Sequence, residues 1–290
     1  MGSCRPPFKQ RINAMDNRAI GIFDSGLGGL TCVAEMKRAA PAEDIIYFGD
    51  TARVPYGTRS RETILEYAAQ DIAFAASKDV KVIIAACGTV SSALGDTIPD
   101  NGIPFFGVVH PAAQAAARAT RNGMIGITGT PATIRSGAYE RAIARISPDI
   151  RCIPTACPLF VPMVENGITD PDDVVVQSMV ERYLEGIRSS GADTLILGCT
   201  HYPHLNEAIQ RYMGDDVTLI SSGAAAAMAA IEHLKANDGL AGRECGTVRC
   251  FTTDTPDMFR ENAHRFIGGV DLTVEKVSVD TLSDLTRGRT

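Results

Sequence analysis

Residues 19–29, Ala19-Ile-Gly-Ile-Phe-Asp-Ser-Gly-Leu-Gly-Gly29, place an apolar run directly before a glycine-rich turn. The run predicts a buried strand over 19–23. The helical pattern that follows, near 29–40, ends at Pro41, which cannot continue a helix. A second strand is predicted over 45–48. This succession of strand, turn, helix and strand indicates an α/β fold with parallel strands.

Helix caps and apolar runs of the same kind recur along the rest of the chain. Ser60 is placed to cap a helix, and the apolar run 80–86 predicts another buried strand. A capping side chain before a proline marks the first turn of a helix, and this pair occurs at Thr130-Pro131, Asp170-Pro171 and Thr255-Pro256. Further strands are predicted over 124–128, 150–154, 193–197, 217–221 and 247–252.

Two parts of the chain repeat each other. Ile20-Gly-Ile22 matches Ile125-Gly-Ile127, and Asp44-Ile45 matches Asp149-Ile150 at the same offset. The strand that ends at Cys87 likewise corresponds to the strand that ends at Cys199, and an alanine-rich helix begins 25 residues after each cysteine. We interpret this pattern as a duplicated α/β unit.

Composition excludes several function classes. With 28 Lys and Arg against 34 Asp and Glu, the net charge is −6 and no polybasic run exists, so nucleic acid is not an expected partner. The apolar runs are far shorter than the roughly 20 residues that cross a bilayer, so no membrane segment is expected. Residues 1–17 lack the apolar core of a secretory signal and are interpreted as a disordered lead-in or tag. A cytoplasmic protein is predicted.

Two of the eight cysteines stand out by position. The absence of a Cys-x-x-Cys pair in a chain of this size predicts reduced thiols. Cys87 and Cys199 each follow a predicted strand, where ligands of open α/β sheets bind. Two opposed thiols suit proton exchange at a carbon acid: one thiolate removes a proton from one face, and one thiol delivers a proton to the other. A free thiol pKa of about 8.5 makes both states accessible.

The turn that follows the first strand offers polar groups for an anionic substrate. Asp24 and Ser25 precede a helix whose free N–H groups attract anions. Asp24 is a candidate for pairing with an ammonium group or orienting a thiol. The alternative is a βα turn whose polar residues only cap the helix. A dinucleotide fingerprint is disfavoured because Thr31 stands where its last glycine belongs.

A second polar cluster is Cys199-Thr200-His201-Tyr202-Pro203-His204. His201 is placed to share a proton with the Cys199 thiol, and Thr200 is placed to donate to the substrate. A zinc site built from Cys199, His201 and His204 is the alternative, although the spacing matches no common zinc pattern and no second ligand pair follows. His204 alone is interpreted as a packed or capping histidine.

Several separated motifs resemble those of glutamate racemases, and the likeness extends from residue 19 to about 253. The resemblance implies two similar flavodoxin-like α/β domains related by a pseudo-twofold axis, with the active site between them. Their predicted bounds are 18–111 and 112–222, with 223–290 returning to pack on the first domain. The motifs are Gly21-Ile-Phe-Asp-Ser-Gly-Leu-Gly-Gly-Leu30, Tyr47-Phe-Gly-Asp50, Pro55-Tyr-Gly57, Gly126-Ile-Thr-Gly-Thr130, Phe160-Val-Pro-Met-Val-Glu165 and Leu197-Gly-Cys-Thr-His-Tyr-Pro203.

The resemblance also implies an activity and site roles. It implies cofactor-independent interconversion of L- and D-glutamate, supplying D-glutamate for peptidoglycan, by an enzyme that is a homodimer by family habit. The thiol that matches Cys199 acts on the L-enantiomer and its counterpart, Cys87, on the D-enantiomer. Glu165 resembles a carboxylate that assists the histidine-side thiol. The residues expected to line the substrate are Asp24, Ser25, Tyr56, Gly57, Gly88, Thr89, Thr200 and His201.

One departure from the family pattern concerns the substrate. Cys87-Gly88-Thr89 stands where the family has Cys-Asn-Thr, so one side-chain donor and acceptor is missing, a loss of about 0.5 to 1.5 kcal/mol unless the Gly88 backbone replaces it. The alternatives that stay open are an aspartate or other amino-acid racemase, a single-thiol enzyme of the same fold, a redox or zinc protein, and a non-catalytic amino-acid-binding relative. Asp50 is interpreted as a solvated carboxylate or a helix cap, and Tyr56 as acting through its backbone and turn rather than its phenol.

Overall fold

The computed structural model describes residues 15–97, 101–268 and 272–287. Most of the predicted lead-in, residues 1–14, lies outside these ranges. Two of the remaining residues of the lead-in contact the rest of the chain: Lys81 Nζ donates to the Asp16 carbonyl at 2.7 Å, and Arg243 donates to the Asn17 carbonyl at 2.7 Å.

Strands in the described ranges form two separate sheets in which every paired strand is parallel. The sheet orders are β10-β9-β2-β1-β3-β4 and β6-β5-β7-β8. The strands are β1 Ile20–Asp24, β2 Ile45–Gly49, β3 Val82–Ala85, β4 Phe105–Gly107, β5 Met124–Gly129, β6 Arg151–Ala156, β7 Thr194–Leu197, β8 Thr218–Ser221, β9 Val248–Thr252 and β10 Thr273–Lys276.

The two sheets repeat one topology. The order β2-β1-β3-β4 in the first sheet corresponds to β6-β5-β7-β8 in the second, which is the flavodoxin-like order. The strands matched by the sequence repeat occupy matching places: β1 and β5 are central, and β3 and β7 lie beside them. The prediction of two similar parallel α/β units is therefore confirmed.

Helices cover the sheets, and several begin at a capping side chain. Ser60 accepts from the Thr63 N–H at the start of α2, and Thr130 accepts from the Thr133 N–H before Pro131. The helices are α1 Leu30–Ala39, α2 Arg61–Ala76, α3 Gly88–Leu94, α4 Val109–Ala119, α5 Pro131–Ser136, α6 Ala138–Ile146, α7 Phe160–Glu165, α8 Val174–Ser189, α9 Asn206–Met213, α10 Ser222–Ala236, α11 Pro256–Ile267 and α12 Val279–Arg287.

Two predicted helix starts differ in detail from the structure. Asp170-Pro171 forms a turn, because Asp170 Oδ1 accepts from the Asp172 N–H at 2.9 Å, and the helix begins at Val174 with Asp173 as its cap. The helix after Thr255 does begin at Pro256, but the Thr255 side chain makes no cap hydrogen bond. The strands β4 and β10 were not predicted, since three and four residues carry little periodic signal.

The C-terminal part of the chain returns to the first sheet. Strand β9 pairs with β2, and β10 extends the sheet beyond it. Helix α10 packs against both α1 and α4, and the Cys32 thiol donates to the Gly223 carbonyl at 3.4 Å where α1 meets α10. One apolar core therefore runs between the sheets. Among the described residues, none of the helices has the length and apolar character needed to cross a membrane.

The predicted domain boundaries at 111/112 and 222/223 stay a proposal, and both fall within helices. The boundary at 111/112 falls inside α4, which begins at Val109, and the boundary at 222/223 falls in the first turn of α10. Both helices lie between the two sheets, since α10 packs on α4 and on α1.

Candidate active site

The first element of the site is the turn between β1 and α1. Asp24 ends β1 with its side chain buried, and its Oδ2 accepts from the Gly29 N–H at 2.8 Å. Its Oδ1 is buried and has no hydrogen-bond partner in the described structure. A Cβ at Gly28 would lie 2.3 Å from Thr200 Oγ1, so this turn requires glycine to touch the second half of the molecule.

Cys87 lies directly after β3, at the start of α3. Its Sγ lies 3.6 Å from Ser25 Oγ, and the side chain is buried. Burial and the carboxylate of Asp24 raise the pKa of the Cys87 thiol far above its usual range, although an N–H of Val90 and the Ser25 hydroxyl oppose the shift. This environment keeps Cys87 as a neutral thiol.

Cys199 occupies the matching place after β7 but has different neighbours. Its Sγ lies 3.8 Å from His201 Nδ1, and His201 Nε2 lies 3.2 Å from Glu165 Oε1. Burial alone would lower the pKa of His201, but hydrogen bonds to Cys199 and Glu165 outweigh burial and raise that pKa to about 10. The three side chains form a relay from sulfur through imidazolium to carboxylate.

The two thiol-bearing turns face each other at close range. A Cβ at Gly88 would lie 2.1 Å from the carbonyl oxygen of Gly198, the residue before Cys199. Thr89 Oγ1 lies 3.0 Å from Thr130 Oγ1, which also joins the two halves. The absence of a side chain at position 88 therefore has a structural explanation. The backbone of the second half occupies the space that a side chain would need.

The structure brings together most of the predicted site residues, and it buries the Tyr56 phenol among carboxylates. The Tyr56 phenol donates to Asp50 Oδ2 and lies 3.2 Å from Asp71 Oδ2, in a fully buried network. Arg53 pairs with both carboxylates. Gly57 lies near Thr130, whose Cβ would be 3.0 Å from an added Gly57 Cβ.

The interpretation of Asp50 as a solvated carboxylate or a helix cap is wrong, because its side chain is buried in this network and makes no cap hydrogen bond. Asp50 accepts from Thr253 Oγ1 at 2.9 Å, which links the loop to the segment after β9. Burial and the negative charge of Asp50 raise the pKa of Asp71 well above its usual range. Sequence reasoning missed Asp71, although its position among Ile64, Ala68 and Ala75 on the apolar face of α2 signalled a buried carboxylate.

The zinc alternative finds no support in the arrangement of the side chains. In residues 15–97, 101–268 and 272–287, no three His, Cys, Asp or Glu side chains converge as metal ligands. His204 packs edge-on against Phe266, with ring centroids 4.7 Å apart. Burial and the neighbouring His201 lower the pKa of His204 to about 4, so His204 is a packed neutral histidine.

Comparison with known proteins agrees with this geometry. The family model for Asp/Glu/hydantoin racemases matches residues 20–230. This chain belongs to that racemase family. A glutamate racemase from Geobacter metallireducens is 44% identical over 265 residues, 91% of this chain and 97% of that protein. A glutamate racemase from Streptococcus gordonii is 42% identical over 92% of this chain and 98% of that protein.

Solved structures of this racemase family superpose on the chain. A glutamate racemase from Francisella tularensis, crystallised with D-glutamate, has a TM-score of 0.85 and 38% identity, and covers 92% of this chain and 100% of its own. An aspartate racemase from Picrophilus torridus, at 17% identity and a TM-score of 0.55, shares the fold alone. The resemblance inferred from the motifs is therefore confirmed, and the chain is an amino-acid racemase by family.

Proposed function

We propose that this chain interconverts L- and D-glutamate by proton transfer between two thiols, without an added cofactor. The observation that carries the proposal is the placement of Cys87 and Cys199 after corresponding strands, β3 and β7, on turns that meet at Gly88 and Gly198. Two thiols on opposed, corresponding turns match a reaction in which a proton leaves one face of a carbon and another arrives on the opposite face.

Proton removal from L-glutamate belongs to Cys199. A protonated His201, hydrogen-bonded to Glu165, stabilises a thiolate at the Cys199 sulfur. This thiolate removes the α-proton, the C–H bond breaks, and its electron pair stays on the substrate as a carbanion delocalised into the carboxylate. The S–H bond that forms at Cys199 later breaks as its proton exchanges into solvent, and the Cys87 thiolate takes up a solvent proton, which restores the starting state for the next turnover.

Proton delivery on the opposite face belongs to Cys87. The buried thiol, close to Asp24, is protonated at neutral pH and donates its proton to the carbanion, which yields D-glutamate and a Cys87 thiolate. With D-glutamate as substrate, the same two thiols exchange roles. Asp24 Oδ1, buried without a partner in the described structure, is available to accept from the substrate ammonium.

Hydroxyl and N–H groups of both turns hold the substrate carboxylates. Ser25 and the β1–α1 turn lie on the Cys87 side, and Thr200 lies on the Cys199 side. Thr89 and the Gly88 backbone line the junction between the halves. Gly57 and the Tyr56 backbone form one edge of the site. They belong to the loop that is held by the buried hydrogen bond between the Tyr56 phenol and Asp50.

Relatives support the substrate and the biological role. Proteins named glutamate racemase match over nine-tenths of this chain, and one neighbour binds D-glutamate in its crystal. The role that follows is supply of D-glutamate for peptidoglycan by a cytoplasmic enzyme that acts as a homodimer. Growth of a D-glutamate auxotroph carrying this gene tests the role, and sedimentation tests the dimer.

The decisive experiment follows the α-proton directly. Purified, chelator-treated protein is incubated with L-glutamate in heavy water, and proton NMR is followed by chiral chromatography. We expect loss of the α-proton signal together with D-glutamate. The same result with L-aspartate alone would move the substrate to aspartate. Binding of glutamate without exchange would identify a non-catalytic relative, and activity that requires added zinc would contradict the two-thiol proposal.

A further inference from the structure

A cavity lies at the junction of the two halves and shares one wall residue, Thr89, with the proposed substrate site. It has a volume of about 440 Å³, and its wall includes Thr89, whose Oγ1 lies 3.0 Å from Thr130 Oγ1 at the junction. A volume of this order accommodates a small organic molecule. The cavity is therefore large enough to hold a ligand of its own.

Four arginines line this cavity, and no acidic residue does. This concentration of positive charge occurs in a chain whose net charge is −6. Because each guanidinium presents a rigid fork of donors, arginines in one cavity match ligands with carboxylate or phosphate groups. The arginines are Arg59, Arg61, Arg135 and Arg141.

Two of these guanidinium groups have no partner. Arg61 donates to the Ala93 carbonyl at 3.0 Å and Arg141 to the Ser136 carbonyl at 2.6 Å, contacts that hold both side chains in place. The Arg59 and Arg135 guanidiniums make no hydrogen bond or ion pair with any other residue in the described ranges. They are free to bind an anion.

A buried hydroxyl points to a ligand independently of the arginines. Ser92 lines the cavity and is only 4% exposed, yet its Oγ has no hydrogen-bond partner in the described structure. Its neighbour Ser91, by contrast, donates to the Ala85 carbonyl at 3.0 Å. Buried hydroxyls are nearly always paired, so an unpaired one on a cavity wall favours an acceptor supplied from outside the chain.

The arginines come from both halves of the molecule. Arg59 and Arg61 lie at the start of α2, in the unit of the first sheet, and Arg135 and Arg141 lie on α5 and α6, in the unit of the second. We propose that the cavity binds a small polyanion, a ligand with two or more phosphate or carboxylate groups, which bridges the two halves. This proposal goes beyond the racemase proposal and does not depend on it.

Isothermal titration calorimetry tests the proposal at constant ionic strength, with pyrophosphate and citrate as separate probes. We expect saturable binding of at least one probe to the full chain, and the preferred probe identifies phosphate or carboxylate as the ligand group. Arg135→Gln and Arg59→Gln each weaken binding by roughly 10-fold or more, since each removes charge-assisted hydrogen bonds to the anion. Arg135→Lys, which keeps the charge but loses the fork, weakens it less.

Arg182→Gln is the matched control, because Arg182 is exposed on α8, lies outside the cavity and has no side-chain partner in the described structure. Its binding of the probe is expected to equal that of the wild type. Equal affinity in all of the variants, absence of binding to the wild type, or displacement of the probe by L-glutamate would overturn the proposal. Circular dichroism establishes that each variant is folded, and Arg59→Gln decides the outcome should Arg135→Gln unfold.

Discussion

The turns that carry Cys87 and Cys199 share a topology and differ in electrostatics. Each cysteine follows the strand next to the central one of its sheet. Burial and the Asp24 carboxylate raise the pKa of the Cys87 thiol and keep it neutral, whereas Cys199 faces an imidazole backed by Glu165. In the proposed mechanism, this difference between neighbours prepares the Cys87 thiol to donate a proton and the Cys199 sulfur to accept one.

The largest effect on the rate of racemisation is expected from removing each thiol in turn. We expect Cys87→Ala and Cys199→Ala to lower the rate of racemisation by about 10²- to 10⁴-fold, because each removes one proton-transfer group. The residual exchange is enantiomer-specific: Cys87→Ala exchanges the α-proton of L-glutamate, and Cys199→Ala that of D-glutamate. Proton NMR in heavy water measures both rates.

Cys245→Ala is the control for the two thiol variants, since Cys245 is exposed and far along the chain from either turn. It should racemise at the wild-type rate. Equal exchange of both enantiomers by either single variant would contradict the division of labour between the faces.

Weakening the relay on the Cys199 side has the next largest effect. His201 has a folded-state pKa of about 10, so the imidazolium is present at neutral pH and is lost as pH rises through that value. We expect His201→Asn to reduce kcat by roughly 10²-fold. Glu165→Gln removes one group that raises the His201 pKa, so the alkaline limb of the kcat profile moves to lower pH.

Stability follows the same linkage. Because the folded-state pKa of His201 lies above the ordinary value of 6.5, its stabilising contribution is complete below that value and is lost as pH rises towards 10. Glu165→Gln lowers the His201 pKa, so this stabilisation is lost at a lower pH than in the wild type. Midpoints of thermal unfolding measured between pH 6 and about 10 detect the change. Glu181→Gln, on the exposed face of α8, should match the wild type. An unchanged alkaline limb in Glu165→Gln would show that the relay does not govern His201.

Much of the fold could be predicted because its signals are local. The run before Asp24, the cap at Ser60 and the pair Thr130-Pro131 each specify an element boundary with a short stretch of chain. The repeat then predicted that the two halves are copies of one α/β unit. Strand β10 escaped prediction because only Val274 of its four residues is buried, which leaves no alternating apolar pattern, and because its place in the sheet is set by pairing with β9.

The site was harder to predict where residues meet across the halves. Cys87 and Cys199 carried a sequence signal, but the contact of Gly88 with the Gly198 carbonyl depends on how the two units are placed. The cluster of arginines around the unpaired hydroxyl of Ser92 also depends on the placement of the two units. No spacing in the chain relates Arg59 to Arg135. Chemistry between distant segments becomes visible only with the structure.

Restoring a side chain at position 88 sharpens the comparison of the two turns. A Cβ at Gly88 would meet the Gly198 carbonyl at 2.1 Å, a backbone atom that cannot swing aside. We expect Gly88→Ala to push the turns apart, to lower kcat/KM by about 10-fold or more because the thiols are displaced, and to destabilise the fold by about 1 to 3 kcal/mol. Gly88→Asn should have at least as large an effect.

Gly186→Ala is the matched control, because Gly186 lies within α8 and an added Cβ there meets no atom within 4 Å. It should leave kcat/KM unchanged and stabilise the fold by up to about 1 kcal/mol, the helix preference of alanine over glycine. Wild-type kinetics in Gly88→Ala would show that the turns have room to separate without cost, and that this glycine does not set their spacing.

The smallest effect on catalysis is expected from the loop that supports the site. Tyr56→Phe removes the phenol that donates to Asp50 and faces Asp71, leaving buried carboxyl groups without that partner. We expect a loss of about 1 to 3 kcal/mol in the free energy of unfolding, measured by urea denaturation, and a kcat within a few-fold of the wild type. Tyr212→Phe, whose hydroxyl contacts exposed Glu185, should change stability by less than about 0.5 kcal/mol. A large fall in kcat with unchanged stability would place the Tyr56 phenol at the substrate, and would mean that the buried acid network belongs to the reaction as well as to the fold.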